Sequence, residues 1–256
     1  MPELPEVEAV CRRLRKDALH AEIAVARILR PGITRPQSPR TIEKRAAART
    51  IQAIRRRGKN ILIDLSGGEV LHIHLRMTGD LRVIPDARFR SASARAVFEF
   101  SDGRALVFDD PRALGRLWVG EDRVGEIGLE PLDPSFTLDA FEALARKSKK
   151  PVKLFLMDQR YVAGIGNIYA AEALYRARVD PRKAMATMSR TKRAALHRAI
   201  IDVLAGAVGE SYNKPGDEMI TDVYGREGEP CHRCRTKIRR VPQGGRSTYF
   251  CPRCQR

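Results

Sequence analysis

Nowhere in its 256 residues does the chain carry a run approaching 18 apolar side chains, which excludes a membrane-spanning helix. Its start, MPELPEVEAV, lacks the basic residues and apolar stretch of a secretory signal, so a cytoplasmic, nucleoid-associated location is expected. No internal repeat and no low-complexity tract interrupts it. A hydrophobic content of 43% is enough for a folded core, which sets disorder aside. Acids are in short supply, with 31 Asp and Glu against 48 Lys and Arg, a formal net charge of +17. A field of that sign attracts a polyanion and steers its approach, so nucleic acid is the expected partner; the alternative is a basic background with no such role. No basic amphipathic helix stands out, which speaks against an anionic membrane surface. Cysteine is sparse as well. Four of the five fall in two CxxC pairs near the C-terminus, a pattern that reads as metal binding and not as a disulfide framework. Cys11, left over, sits among Val7, Val10 and Leu14 and reads as a buried structural thiol.

The patterning divides the chain. Pro5 opens a helical spacing of Val7, Val10, Cys11, Leu14 and Ala18, and proline is well tolerated in a first turn. Two short apolar runs, 60–65 and 70–75, flank Ser66-Gly67-Gly68 and predict a hairpin. Runs at 96–100 and 105–108 around Ser101-Asp102-Gly103-Arg104 predict a second, and 114–119 predicts a further strand. Gly and Pro punctuation between Gly125 and Pro134 marks a boundary. Beyond it helices are expected over 138–147, 152–158, 167–177 and 191–208. The expected class is α+β and multi-domain: a β-sandwich flanked by a helix over 1–124, a helical domain over 135–222 and a metal-bearing hairpin over 223–256.

Cys231-x-x-Cys234 and Cys251-x-x-Cys254 lie 16 residues apart, so each pair can grip one side of a tetrahedral ion while the segment between returns as a hairpin. Four thiolates close the shell and indicate one structural zinc, Zn2+, with no open position for catalysis. His232 is a conceivable substitute ligand, but four cysteines already complete the set. The 223–256 segment carries nine Lys and Arg against Glu227 and Glu229. Gly244-Gly245 is placed at the hairpin tip with Arg246 beside it, where an arginine can meet a phosphate.

Pro2 permits removal of Met1, which would expose a secondary amine. An α-amino group titrates near about 8, so much of it is neutral at pH 7, unlike a lysine. Such an amine can attack a sugar C1′ to give an iminium that activates the neighbouring carbon for elimination. The Glu3 carboxyl beside it can give or take protons. From spacing alone the same residues read more readily as a helix start, where acids and proline are favoured, than as a catalytic pair.

Pro2-Glu3-Leu4-Pro5-Glu6-Val7-Glu8 resembles the signature start of the formamidopyrimidine-DNA glycosylase and endonuclease VIII family. Further segments resemble that family in consistent order. They are Arg56-Arg57-Gly58-Lys59, His74-Leu75-Arg76-Met77-Thr78-Gly79, Asp110-Pro111-Arg112-Ala113-Leu114-Gly115, Leu156-Met157-Asp158-Gln159 through Gly164-Ile165-Gly166-Asn167-Ile168-Tyr169-Ala170, and Val223 through Cys231. The resemblance covers nearly the whole chain. It implies a β-sandwich and a helix–two-turn–helix domain ending in a zinc finger, acting as a monomer with double-stranded DNA between the two. It implies a catalytic set of Pro2 as Schiff-base nucleophile, Glu3 as proton donor, Lys59 on the phosphate near the lesion and aiding proton transfer, and Arg246, which with Asn167 also contacts the DNA backbone. Asn167 also follows Gly164-x-Gly166 and opens a helix, where free N–H groups can receive a phosphate. Met77, Arg112 and Leu114 would fill the space of an everted base, whose unstacking costs a few kcal/mol. Without the resemblance, Met77 beside Leu75 reads as core.

The resemblance implies a bifunctional glycosylase and abasic-site lyase that excises formamidopyrimidines, with 8-oxoguanine a possible further substrate, and cuts by β,δ-elimination. Three departures bear on this. Leu114 stands where the family usually has Phe, and Leu inserts between bases with less stacking. Ser91-Ala92-Ser93-Ala94-Arg95 replaces a His-rich stretch. The 209–221 region is short where relatives carry a loop over the everted purine, which puts 8-oxoguanine recognition in question. An endonuclease VIII-like enzyme for oxidised pyrimidines is the alternative, and a non-excising DNA-structure binder is a second.

Overall fold

The computed structural model describes residues 1–120, 124, 127–209 and 221–256. The chain forms two compact units, Met1–Gly125 and Glu126–Arg256.

The first unit opens with α1 (Leu4–Asp17), in which Leu4, Val7, Val10, Cys11 and Leu14 turn one buried face inward. Its first turn is closed by the Glu6 carboxylate, which accepts from the Glu3 amide at 2.7 Å. Eight strands follow: β1 (Glu22–Ile28), β2 (Arg49–Arg57), β3 (Asn60–Leu65), β4 (Glu69–His74), β5 (Asp80–Ile84), β6 (Ala94–Phe100), β7 (Ala105–Asp109) and β8 (Arg116–Gly120), with α2 (Pro39–Ala46) between β1 and β2. They are hydrogen-bonded in the order β5-β7-β6-β1-β2-β3-β4-β8. The β1–β2 link is short, holding only Glu22 to Thr50 and Ile23 to Arg49. Irregular registers at Ile23/Val25 and Ile51/Ala53 flank it. Such irregularities bend strands, so the ladder folds into two four-stranded layers. Ile23, Phe98, Leu106 and Phe108 of one layer share a core with Ile54, Ile61, Ile73 and Leu117 of the other. Helix α1 bridges the layers, since Arg13 Nη2 donates to Asp80 Oδ1 and Leu81 O of β5, both at 2.6 Å, while Arg15 Nε donates to Ile54 O of β2 at 2.8 Å. The free edge of β8 is capped by a side-chain amide: Gln37 donates to Val119 O at 2.7 Å and accepts from Val119 N at 2.9 Å.

The expected hairpins form, and β1, α2, β2 and β5 are elements that the sequence pattern does not predict. The strand expected from Leu114 begins instead at Arg116, because Asp110–Gly115 form a turn with Ala113 at φ 50°. Leu114 is left 40% exposed outside the strand. Met77 is not a core residue; it is 42% exposed while Leu75 is buried. Cys11 is a buried thiol as expected, and burial pushes its pKa up to about 12.

The second unit contains α3 (Leu138–Ala145), α4 (Val152–Met157), α5 (Asn167–Arg176), α6 (Arg190–Gly209) and a hairpin of β9 (Arg239–Gln243) and β10 (Arg246–Phe250). A buried ion pair joins α3 to α6, with Arg193 Nε 2.7 Å from Glu142 Oε1. Hydrogen bonds from Arg193 hold the Glu142 carboxyl below the usual carboxylate range. The hairpin turns at Gly244 and Gly245, both at positive φ (57° and 72°), the conformation a two-residue turn needs.

Candidate functional site

In the first unit, the strand register gathers the candidate residues at one end of the sandwich. Arg57 pairs with Asn60, Asn60 with His74, and His74 with Arg116, so the β2–β3 turn bearing Lys59, the end of β4 and the start of β8 lie side by side. Helix α1 brings the N-terminus there. Arg15 meets Ile54 O, the Cys11 thiol meets Arg55 O at 3.7 Å, and Glu8 Oε2 accepts from Arg56 Nε at 3.0 Å. The helix therefore runs antiparallel to β2, and the residues before Glu8 lie towards the Gly58-Lys59 turn. Arg56 fixes that turn as well, donating to Gly58 O at 3.1 Å. Glu3 is 2% exposed and Lys59 is 7% exposed, and Pro2 is half-buried. A carboxyl, an ammonium and the N-terminal segment thus lie at one end of the sandwich, with the two titratable groups largely shielded from water.

His74, quoted in a motif but given no role by the sequence, belongs to this end. Its Nδ1 accepts from the Arg76 amide at 3.0 Å, so a neutral ring carries its proton on Nε2. Burial, then the charges of Arg76 and Lys59, push its pKa down to about 4. The ring is neutral at pH 7 and is a hydrogen-bond donor that adds no charge. Unfolded, it titrates near about 6.5. The unfolded chain therefore takes up this proton first, and the stability from a neutral His74 is lost as pH falls from about 6.5 to about 4. Urea unfolding should show the native chain losing stability relative to a His74→Asn chain across that window, with no further relative loss below it. A relative gain on acidification would contradict the assignment.

Two loops cross between layers at the same end. One runs from β4 to β5 and exposes Met77. The other runs from β7 to β8 and exposes Arg112 and Leu114. Met77 and Leu114 are each preceded by a non-glycine residue in the left-handed region, Arg76 at φ 56° and Ala113 at φ 50°. That conformation is uncommon outside glycine and persists where surroundings enforce it.

The second unit, taken by itself, holds Asn167, Arg246 and the four cysteines. Asn167 is the first residue of α5, after Gly166 at its N-cap. The turn before it is fastened by Gln159, whose Oε1 accepts from Gly164 N at 2.8 Å while Nε2 donates to Ile165 O at 2.9 Å. Among the described residues, Asn167 Oδ1 is buried with no hydrogen-bond partner. An amide's O and N exchange by a half-turn, so the start of α5 carries a buried side-chain amide that can turn a donor towards an anion at the positive end of the helix. Arg246 is exposed at the start of β10. Its hairpin is seated on α4: a Cβ at Gly244 would come within 2.6 Å of Leu154, and the buried Lys153 donates to Ser247 O at 2.9 Å and Thr248 Oγ1 at 2.7 Å.

The sulfur atoms of Cys231, Cys234, Cys251 and Cys254 all lie within 4.8 Å of one another. The Cys231–Cys254 and Cys234–Cys251 separations are 3.9 and 3.4 Å. Thiolates about 2.3 Å from a tetrahedral zinc are about 3.8 Å apart, so the cluster fits one structural zinc with a closed shell. His232 is turned away to Asp222, 3.0 Å from Nδ1, and is not part of the cluster. The segment leading in is held by Glu172 of α5, which accepts from the amides of Asp222, Val223 and Tyr224 at 2.8, 3.1 and 2.9 Å. Neither Glu172 nor Lys153 announced its role in the sequence.

Three family models match the chain: the formamidopyrimidine-DNA glycosylase N-terminal domain over residues 1–117, its H2TH domain over 127–214, and a zinc finger found in that glycosylase and in isoleucyl-tRNA synthetase over 228–256. A formamidopyrimidine-DNA glycosylase of Herpetosiphon aurantiacus is 39% identical over 274 aligned positions, covering all of both chains. Among solved structures, a Lactococcus lactis formamidopyrimidine-DNA glycosylase mutant in complex with DNA containing a formamidopyrimidine lesion of deoxyguanosine superposes with a TM-score of 0.91 at 31% identity, covering all of both chains. The wild-type Lactococcus lactis protein bound to DNA containing an oxidised pyrimidine gives 0.91 at 33% identity, again over all of both chains.

Proposed function

Because the chain belongs to the formamidopyrimidine-DNA glycosylase family, we propose that it excises oxidised bases from double-stranded DNA through a covalent intermediate on Pro2 and then cuts the strand. It is a DNA glycosylase of base excision repair. The observation that carries the mechanism is the register that sets Lys59, His74 and the two exposed loops at one end of the sandwich, with α1 bringing Pro2 and Glu3 towards it.

The chemistry follows from those groups. With Met1 removed, the Pro2 nitrogen bonds to C1′ as the C1′–base bond breaks. The departing base keeps the electron pair and takes a proton from Glu3, and the amine passes its own proton to the Glu3 carboxylate that remains. The C1′–O4′ bond then opens, O4′ accepts a proton from Glu3, and an iminium joins Pro2 to the sugar. Loss of a C2′ proton with departure of the 3′ phosphate is the β step; the δ step releases the 5′ phosphate. Lys59 and the Nε2–H of His74 are placed to hold the phosphate beside the lesion. Met77, Arg112 and Leu114 fill the gap left by the everted nucleotide. Asn167 and Arg246 grip the backbone from the second unit, where zinc holds the hairpin that presents Arg246. We assign catalysis to 1–124, backbone binding to 135–222 and the zinc hairpin to 223–256, a division supported by the bounds of the matching family models. A cytoplasmic, nucleoid-associated location follows from this substrate.

Formamidopyrimidines are the first substrate class. The oxidised-pyrimidine reading is kept because the Lactococcus lactis relative has been solved with such DNA. The 209–221 region that bears on 8-oxoguanine falls almost wholly on 210–220, outside the described residues. Single-turnover incision of duplexes bearing formamidopyrimidine, 8-oxoguanine or an oxidised pyrimidine should be fastest on the first. Fastest cutting of the pyrimidine duplex would move the protein to the endonuclease VIII-like reading. No cutting of any duplex, by protein shown to lack Met1, would leave the non-excising binder.

A further inference from the structure

Between the two exposed loops lies a carboxylate that the chemistry above does not use. Asp110, fully buried at the end of β7, accepts from the Thr78 hydroxyl of the β4–β5 loop through Oδ1 and from the Gly115 amide of the β7–β8 loop through Oδ2, the latter at 2.7 Å. Both loops also fold back over one ring. A Cβ at Gly79 would come within 2.9 Å of Phe108 Cε2, and a Cβ at Gly115 within 2.3 Å of Phe108 Cζ and 3.2 Å of Asp110 Oδ2. Asp110 is itself fixed from behind: its amide donates to Ser93 O at 2.9 Å, and its carbonyl accepts from Arg95 Nε at 2.7 Å.

We propose that Asp110 is a positioning residue that locks the two loops into a single element, so that Met77 and Leu114 enter the duplex together. The proposal rests on the reading of those side chains as occupants of the everted base's place. Two separate loops would each have to be ordered on DNA. A shared buried acceptor orders them beforehand, and the left-handed Ala113 is tied to the same residue, its amide donating to Asp110 O at 3.0 Å.

Thr78→Val removes the first loop's hydrogen bond to Asp110 and changes no residue of the second loop; Asp110→Asn is the companion variant at the anchor itself. Amide hydrogen exchange of the free protein reads the coupling without DNA. With Thr78→Val, exchange should quicken about tenfold or more at Gly115, across the gap, as well as in residues 75–79. Exchange rising only in 75–79 would overturn the coupling. Eversion kinetics, followed with a fluorescent base beside the lesion, read its use. In the native background Met77→Ala, Leu114→Ala and the double variant should slow eversion by similar factors, and in the Thr78→Val background the two effects should multiply. Effects that already multiply in the native background would overturn concerted entry while leaving the insertion reading intact. Neither single variant slowing eversion would overturn the insertion reading, and concerted entry with it, whatever exchange shows.

Discussion

Glu3→Gln is expected to slow excision of a damaged base by about a hundredfold to ten-thousandfold, the usual worth of a positioned proton donor. Glu3 sits at the N-cap of α1 and is 2% exposed, and its backbone amide is held by Glu6. Gln keeps the size and the acceptor oxygen of the side chain, so the helix start is preserved and only the transferable proton is lost. The Pro2 amine is untouched. On a duplex whose base is already missing, the variant should therefore still form a borohydride-reducible link to the sugar. Equal loss of trapping on abasic and damaged duplexes would mean that Glu3 acts on the nucleophile or on the fold. Full excision by Glu3→Gln would remove it from the mechanism.

Loss of zinc is expected to have the second large effect. Structural zinc in small fingers contributes about 10–16 kcal/mol of apparent binding free energy that is also folding energy. The cysteines sit in a small buried cluster with Ala171, Tyr175, Val223 and Ile238, and Tyr224 and Tyr249 pack alongside. Cys251 is fully buried, and its amide donates to Gln255 Oε1 at 2.8 Å. Cys251→Ala should abolish zinc stoichiometry in atomic absorption and melt the β9–β10 hairpin, while the sandwich retains its own core. Arg246 then loses its place, and each lost phosphate contact should flatten the dependence of log affinity on log salt by roughly 1. A Cys251→Ala chain that binds DNA with unchanged affinity and salt slope would deny the hairpin any part in the interface.

Legibility in the sequence followed how local the signal was. The four-cysteine site was complete in its spacing, since two CxxC pairs specify both ligands and geometry. The hairpin at 60–74 and the α5 start were readable for the same reason. Strands β1, β2 and β5 were not. Residues 49–57, RTIQAIRRR, carry only Ile51 and Ile54 inward in a basic run, and their strand character comes from partners far along the chain. An apolar Leu114 close to Leu117 and Val119 reads as continuous with their strand; the turn at Ala113 breaks that continuity. Gly79 and Gly115 are needed for space against Phe108, a demand that no local pattern in the sequence announces. Asp110 reaches Thr78 across 32 positions, and Glu172 and Lys153 reach partners 50 and 94 or more positions away, which no local pattern reveals.

The central claim is that the Pro2 nitrogen carries the sugar. Borohydride reduction of the protein on a formamidopyrimidine duplex, followed by digestion and peptide mass spectrometry, tests it directly. The account predicts a sugar adduct on an N-terminal peptide that begins at Pro2. An adduct on a lysine, Lys59 above all, or no adduct from protein whose Met1 is absent, would contradict it.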